Sequence, residues 1–249
     1  MTEHKAGSPV RHGLARILSK RGIVSRSQAA LWVRAGRVRV DGRVQHDPDM
    51  ATAVDARIEI DGAIAAPCER VYLAMNKPRG LLCTRSDERG RATVYSCLDA
   101  QLGQWLAPVG RLDQASEGLL LWSNDPEWAA AITDPHCAIE KTYHVQVRPP
   151  PTPAQIAALV SGVAVMAVAL PWRARSARLI RSGGKTAWLE IVLDEGRNRQ
   201  IRRMLEALDL CVERLIRVAI GRVVLGDLAK GQTRALSDAE VVHLVPGKS

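Results

Sequence analysis

Apolar and polar positions along this chain repeat with two different periods. Leu14, Ile17 and Leu18 fall at helical spacing, and Ala29, Ala30 and Val33 do so again. Ser25 stands where an N-cap is needed for the second run, and Gly36 where a helix ends. In "RVRVDGRVQ" the period drops to two, valine alternating with charge. Asp41-Gly42 at its centre is at ease at positive φ and predicts a two-residue hairpin turn. Arg57 to Ile60 supply another strand, so residues 12–66 are expected to form a small αα-β module that closes near Ala66-Pro67. Residues 1–11, with no such pattern, are expected to be a disordered tail.

From about residue 70 to 249 strands and helices intermix. Val71 to Met75, Leu119 to Trp122, Tyr143 to Val147, Ala174 to Ile180 and Ala187 to Leu193 read as strands, the last two joined through a Ser-Gly-Gly-Lys turn. Pro149-Pro150-Pro151 is a stiff connector, after which Thr152 caps a helix running to Leu159 with Pro153 in its first turn. In "EGRNRQIRRMLEAL", residues 195–208, Ile201, Met204, Leu205 and Leu208 give one buried helical stripe, while Arg199, Arg202, Arg203 and Glu206 repeat the spacing on another face. Neighbouring strands with interspersed helices predict an α+β domain and not a regular parallel βαβ array.

Charge sharpens this picture. The 249 residues carry 35 Lys and Arg against 26 Asp and Glu, a net charge of +9, which favours a polyanionic partner. The excess is local: nine basic residues lie between Arg11 and Arg43, Arg26 and Arg37 among them, against the single acid Asp41. Such density suits phosphate neutralisation with counterion release. Four arginines (Arg197, Arg199, Arg202, Arg203) fall within seven residues, and their planar forks match phosphate oxygens and carboxylates. No apolar run approaches the roughly 18 residues of a membrane span, and the N-terminus lacks a secretory h-region, so a cytoplasmic protein is expected. The five cysteines are widely spaced and never in a C-x-x-C pair, which argues against a disulfide framework or a zinc site. Neither G-x-G-x-x-G after a strand nor G-x-x-x-x-G-K-[ST] occurs.

One carboxylate stands out in "GRLDQASEGLLLWSND". Asp113 follows Arg111 by two positions, and an arginine near an aspartate keeps it ionised and oriented for nucleophilic work. Hydrolysis of a sugar bond would call for a second acid; Glu117 is available but enters an apolar strand without a marked setting. A turn aspartate without chemistry is the other reading of this stretch alone.

Longer motifs in order carry more. "GIVSRSQAALWVRAGRVRVDGRV" resembles the RNA-binding module named after ribosomal protein S-four. Behind it come "MNKPRGLLCTRSDERGRATV", "VGRLDQASEGLLLWSND", "EKTYHVQV", "LDEGRNRQIRRM" and "LIRVAIGRVVLGDLAKGQTRAL". Together they resemble the RsuA/RluB-type ribosomal RNA pseudouridine synthases over about residues 12–240. The resemblance implies the pseudouridine synthase fold, with a central mixed, largely antiparallel sheet in a catalytic domain over 70–249. It implies that Asp113 is the catalytic aspartate, Tyr143 the aromatic packed on the target base and Arg202 the partner that holds the aspartate's charge. Arg111 would fill or brace the gap left in the RNA stack, Leu215 would line the base pocket, and Arg197, Arg199, Gln200 and Arg203 would contact RNA around it. Arg26 and Arg37 would belong to the footprint of the N-terminal module. The reaction implied is isomerisation of a uridine, which needs no cofactor or metal. The partner implied is ribosomal RNA or a pre-ribosomal particle, and a monomer is expected, with no membrane involved. The rivals are a non-catalytic ribosomal-RNA-binding or assembly factor on the same fold, and a nuclease or glycosidase. The chain departs from the family pattern at Pro126 and in "GVAVMAVALPW", both outside the expected pocket.

Overall fold

A computed structural model describes residues 10–98 and 105–245. The chain divides into two compact units, the first running to Val71 and taking in residues 105–107 and Ser123–Glu127, the second formed by the rest.

The first unit contains β1 (Arg11–Gly13), α1 (Leu14–Lys20), α2 (Arg26–Arg34), β2 (Val38–Val40), β3 (Arg43–Gln45), β4 (Ala51–Ala53), β5 (Ile58–Ile60) and β6 (Ala63–Ile64). The Ser25 hydroxyl accepts from Gln28 N–H and starts α2, and Gly36 follows its end at φ +71°. Asp41 and Gly42, at φ 49° and 79°, make the tight turn between β2 and β3. Leu14, Ile17, Leu18, Ala29, Val33, Val38 and Ile58 form its core. Each large aliphatic side chain so buried contributes about 1.5 to 3 kcal/mol. The tail expected over 1–11 lies outside the described residues up to residue 9, and at its other end Arg11 is already paired with Ala53 in a strand.

The second unit is built on β7 (Tyr72–Lys77), β8 (Ala107–Val109), β9 (Glu117–Ser123), α3 (Pro126–Thr133), β10 (Lys141–Arg148), α4 (Pro153–Ser161), β11 (Ser176–Ser182), β12 (Ala187–Leu193), α5 (Gln200–Glu206), β13 (Cys211–Ile220), β14 (Val223–Val224), β15 (Thr233–Ala235) and α6 (Asp238–Leu244). Its described strands form one sheet in the order β11-β12-β10-β13-β9-β7-β15, with β14 beside β13 and β8 beside β9. β10 pairs antiparallel with β12 and β13, as do β11 with β12, β14 with β13 and β15 with β7, whereas β13 runs parallel to β9, so the sheet is mixed and the α+β expectation holds.

Alternation along the strands separates two faces. Tyr143, Val145 and Val147 on β10 and Ala187, Leu189, Ile191 and Leu193 on β12 are buried on one face. Their neighbours His144, Gln146, Trp188 and Glu190 are half-exposed on the other. β9 is buried along its whole length. Gly118 allows it to reach β13: at φ +102°, a Cβ there would lie 2.3 Å from the Arg217 carbonyl oxygen.

α5 is shorter than the pattern suggested. Arg199 adopts φ 51° and ψ 32°, a left-handed conformation that delays the helix to Gln200, and Leu208 lies beyond its end at Glu206. The main omission from the periodicity reading is β13, ten residues at the centre of the sheet. Arg214 and Arg217 interrupt its alternation, and two register shifts against β10 displace what remains.

Candidate functional site

A cleft of about 500 Å³ opens in the second unit between the loop joining β8 to β9, the start of α5 and one face of β10 and β13. Asp113 and Arg111 reach it from the loop, Arg197, Arg199, Gln200 and Arg202 from the α5 side, and Tyr143 and Leu215 from the strands. Eight of the residues expected at the site therefore share one cavity of a size that takes a small ligand.

The loop that bears Asp113 is anchored through its backbone. Lys77, fully buried at the end of β7, donates from Nζ to the carbonyls of Ser116 (2.7 Å), Pro78 (3.1 Å) and Asp113 (3.2 Å). Ser116 N–H closes a turn onto the Asp113 carbonyl at 3.0 Å. Gln114 exchanges two hydrogen bonds with Gly80, its carbonyl accepting at 2.7 Å and its side-chain amide donating at 3.1 Å. Burial pulls the Lys77 ammonium below its ordinary pKa, while Cys83, Asp113 and Glu117 oppose that shift. Asp113 itself is half-buried and open to the cleft.

Arg202 does not grip the aspartate. Its Nη2 donates to the Ala115 carbonyl at 3.2 Å and its Nη1 to that of Val212 at 3.5 Å, while Nε is buried without a partner. Burial lowers its pKa, Arg199 and Arg79 add to that, and Asp113 opposes it, so Arg202 and Asp113 interact through their fields. The expected charge-holding contact is thus longer in range than a hydrogen-bonded pair, because Arg202 also fastens the loop at Ala115.

Gln200 is buried, with its amide used inside the turn before α5. Its Nε2 donates to Glu195 Oε1 at 2.5 Å and its Oε1 accepts from Arg197 N–H at 3.3 Å. Arg197 pairs with Glu195 Oε2 at 2.8 Å and lies over the Trp172 ring at 5.5 Å. Arg203 stacks on the same ring at 4.6 Å and donates to the Met166 carbonyl at 2.8 Å, which leaves it outside the cleft lining.

Three groups were not singled out by residue type and spacing. Lys77 lies in the quoted "MNKPRG" stretch, but its burial depends on tertiary packing. Lys141 and Arg217 line the cleft beside Tyr143, within the quoted "EKTYHVQV" and "LIRVAIG" stretches. Glu117, read as having no marked setting, has a strong one. It is a buried carboxylate held by Arg214 through bonds of 2.9 and 3.1 Å and by Lys230 at 2.9 Å. Burial would raise its pKa, but those two cations outweigh burial and hold it below the ordinary 4.5. With both oxygens committed, it serves the sheet and not the cleft.

Arg26 and Arg37 belong to the first unit. Arg26 lies 3.6 Å from Asp49, and Arg37 grips Asp61 with two nitrogens, its Nε 3.0 Å from Oδ1, while facing the Trp32 ring at 5.0 Å. Among the described residues no helix is long and apolar enough to cross a membrane, and no group of three His, Cys, Asp or Glu could hold a metal ion.

Comparison with known proteins places this geometry. A family model described as RNA pseudouridylate synthase matches residues 71–207, and an S4 domain model matches residues 13–51. The chain is 36% identical to the ribosomal large subunit pseudouridine synthase B of Pseudomonas aeruginosa, covering 94% of this chain and 61% of that protein. It is 32% identical to the protein of that name from Bacillus subtilis, covering 93% of this chain and 94% of the relative. An uncharacterized RNA pseudouridine synthase of Mycobacterium bovis is 36% identical over 93% of this chain and 92% of its own length. A solved structure described as a pseudouridylate synthase superposes with a TM-score of 0.67 at 29% identity, covering 95% of this chain and all of the other.

Proposed function

Because the chain belongs to the RNA pseudouridylate synthase family, with an S4 domain ahead of the family match, we propose that it converts one uridine of large-subunit ribosomal RNA to pseudouridine. In that isomerisation the bond from C1′ to N1 breaks, the freed uracil turns, and C1′ bonds to C5. The C5 proton leaves and N1 gains one, so atoms and electrons balance within the substrate and no cofactor or metal is called for.

One observation carries the assignment of Asp113. Among the described residues Asp113 and Glu195 are the carboxylates lining the cleft, and Glu195 is bound to Arg197 and Gln200. Asp113 is left with its oxygens free of protein hydrogen bonds in a wall of arginines. A base inside a helix cannot turn, so the uridine must be extruded, at a cost of a few kcal/mol of unstacking that favours loops and bulges. Tyr143 and Leu215 would clamp the freed ring, Asp113 would act on it or its sugar, and Arg202 would steady the loop and its charge. Arg111, exposed at the rim, would brace the gap in the stack. Arg197 and Arg199 on the cleft wall and Arg203 beyond it would meet the RNA, with Gln200 setting the turn that presents them. The protein would work as a cytoplasmic monomer on ribosomal RNA or a pre-ribosomal particle.

The test is incubation with unmodified ribosomal RNA followed by mapping of carbodiimide-dependent reverse-transcription stops. A single new stop with the parent protein, absent with Asp113→Asn, is expected. No stop, or one that survives in Asp113→Asn, rejects the assignment; strand breaks or released base would point to a nuclease or glycosidase.

A further inference from the structure

We infer that the cleft contains a binding subsite for one backbone phosphate of the substrate RNA, formed by Arg217 and Lys141 beside Tyr143, an inference that rests on the RNA-isomerase reading above. The register brings these groups together. On β10, Lys141 and Tyr143 alternate onto the same face, and Arg217 on β13 pairs directly with Tyr143 after a register shift at Thr142. Both cations line the cleft.

Arg217 is nine-tenths buried, and its protein contacts use little of its donor capacity. Nε donates to the Leu119 carbonyl at 2.7 Å, which ties β13 to β9, but Nη2 is buried with no partner. A strut between strands needs only the Nε contact, so the unpaired end of the guanidinium is unexplained by the sheet. No carboxylate among the described residues forms an ion pair with either cation. Glu117 on the neighbouring strand is occupied by Arg214 and Lys230, and Glu195 by Arg197 and Gln200. Asp194 acts on Lys141 only through space. Burial and then the charge of Arg217 pull the Lys141 ammonium below its ordinary pKa, the mark of two like charges in a partly closed space.

Such a pair is costly until an anion arrives. A phosphodiester oxygen supplies the acceptor that Arg217 lacks and a charge that relieves both cations. A uracil carbonyl could satisfy one N–H, but it carries no charge and would leave the repulsion between Arg217 and Lys141 in place. A phosphate placed next to Tyr143 would fix the sugar of the extruded nucleotide relative to Asp113.

The experiment begins with the uridine mapped by the carbodiimide assay and a short synthetic RNA around it. Binding is measured in the Asp113→Asn background, which prevents turnover. Two further RNAs carry a neutral methylphosphonate in place of the phosphate on the 5′ or the 3′ side of that uridine. One of the two replacements is expected to weaken binding about tenfold, the loss of one charged contact. Lys141→Gln should weaken the natural RNA similarly, flatten the salt dependence by about one phosphate contact, and be indifferent to that same replacement. Arg217→Lys keeps charge without the fork and should show an intermediate loss; thermal unfolding of each variant checks the fold. Parent-like affinity and salt slope in Lys141→Gln, or losses that add to those of both methylphosphonates, would overturn the subsite. Should the parent form no pseudouridine at all, the function itself fails, and that is seen before any variant is made.

Discussion

Lys77 holds Asp113 by its backbone. The buried ammonium donates to the aspartate's carbonyl at 3.2 Å and to that of Ser116 three residues on at 2.7 Å, so a single cation spans the turn that presents the cleft's free carboxylate. Lys77→Met keeps the length of the side chain and removes those bonds, taking the lysine donor from the Ser116 and Pro78 carbonyls and leaving the Asp113 carbonyl with Ser116 N–H alone. We expect a loss of about 2 to 4 kcal/mol in urea unfolding. Pseudouridine formation should fall further than the folded fraction does, because the loop loosens. Equal losses in both readouts would assign Lys77 to stability alone.

Glu117 gives a pH signature. Its folded pKa is lowered, so its pairing with Arg214 and Lys230 adds stability above the unfolded carboxyl value, and that stability fades as pH falls through the folded value. Glu117→Gln should be less stable than the parent at pH 7, and the gap should close in acid below about pH 4. A gap independent of pH between 7 and 3 would contradict the pairing.

Gly118→Ala should be among the most damaging single-methyl changes in the chain. Its Cβ would meet the Arg217 backbone at 2.3 and 2.8 Å, with φ at +102° adding strain. A loss of about 3 kcal/mol or more in thermal or urea unfolding is expected, together with loss of activity as β9 moves off β13. Parent-like stability would mean that the strands are not so close.

Arg37 is engaged by Asp61, which blunts its value as a phosphate contact. Arg37→Ala should therefore flatten the salt dependence of RNA binding by less than one contact, and Asp61→Asn should steepen it by about one by freeing the guanidinium. The measurement is the slope of log affinity against log salt; a full unit lost in Arg37→Ala would show that RNA displaces Asp61.

How much was legible from sequence follows from what each residue depends on. The cap at Ser25, the Asp41-Gly42 turn and the start of α4 at Thr152, whose hydroxyl accepts from Gln155 N–H, are local devices that a short window contains. β13 was hidden because its arginines are there for tertiary reasons: Arg214 answers Glu117, and Arg217 faces the cleft. The same limit applies to the site. Asp113, Tyr143, Arg202 and Leu215 line one cavity. That Arg202 would bind carbonyls, that Gln200 would serve a turn, and that Lys77 would carry the loop depend on neighbours up to 87 residues away in the chain.

The turn before α5 has a last implication for how RNA is met. With Glu195 and Gln200 tied to Arg197, and Trp172 backing Arg197 and Arg203, these arginine side chains lose their rotational freedom when the protein folds. Long flexible cations that immobilise only on contact make every encounter entropically expensive, whereas a rim set in advance leaves the ordering to the nucleic acid alone. On the proposed reading, adaptation on binding would be the task of the RNA, and a strand that cannot reshape itself would be turned away at the entrance.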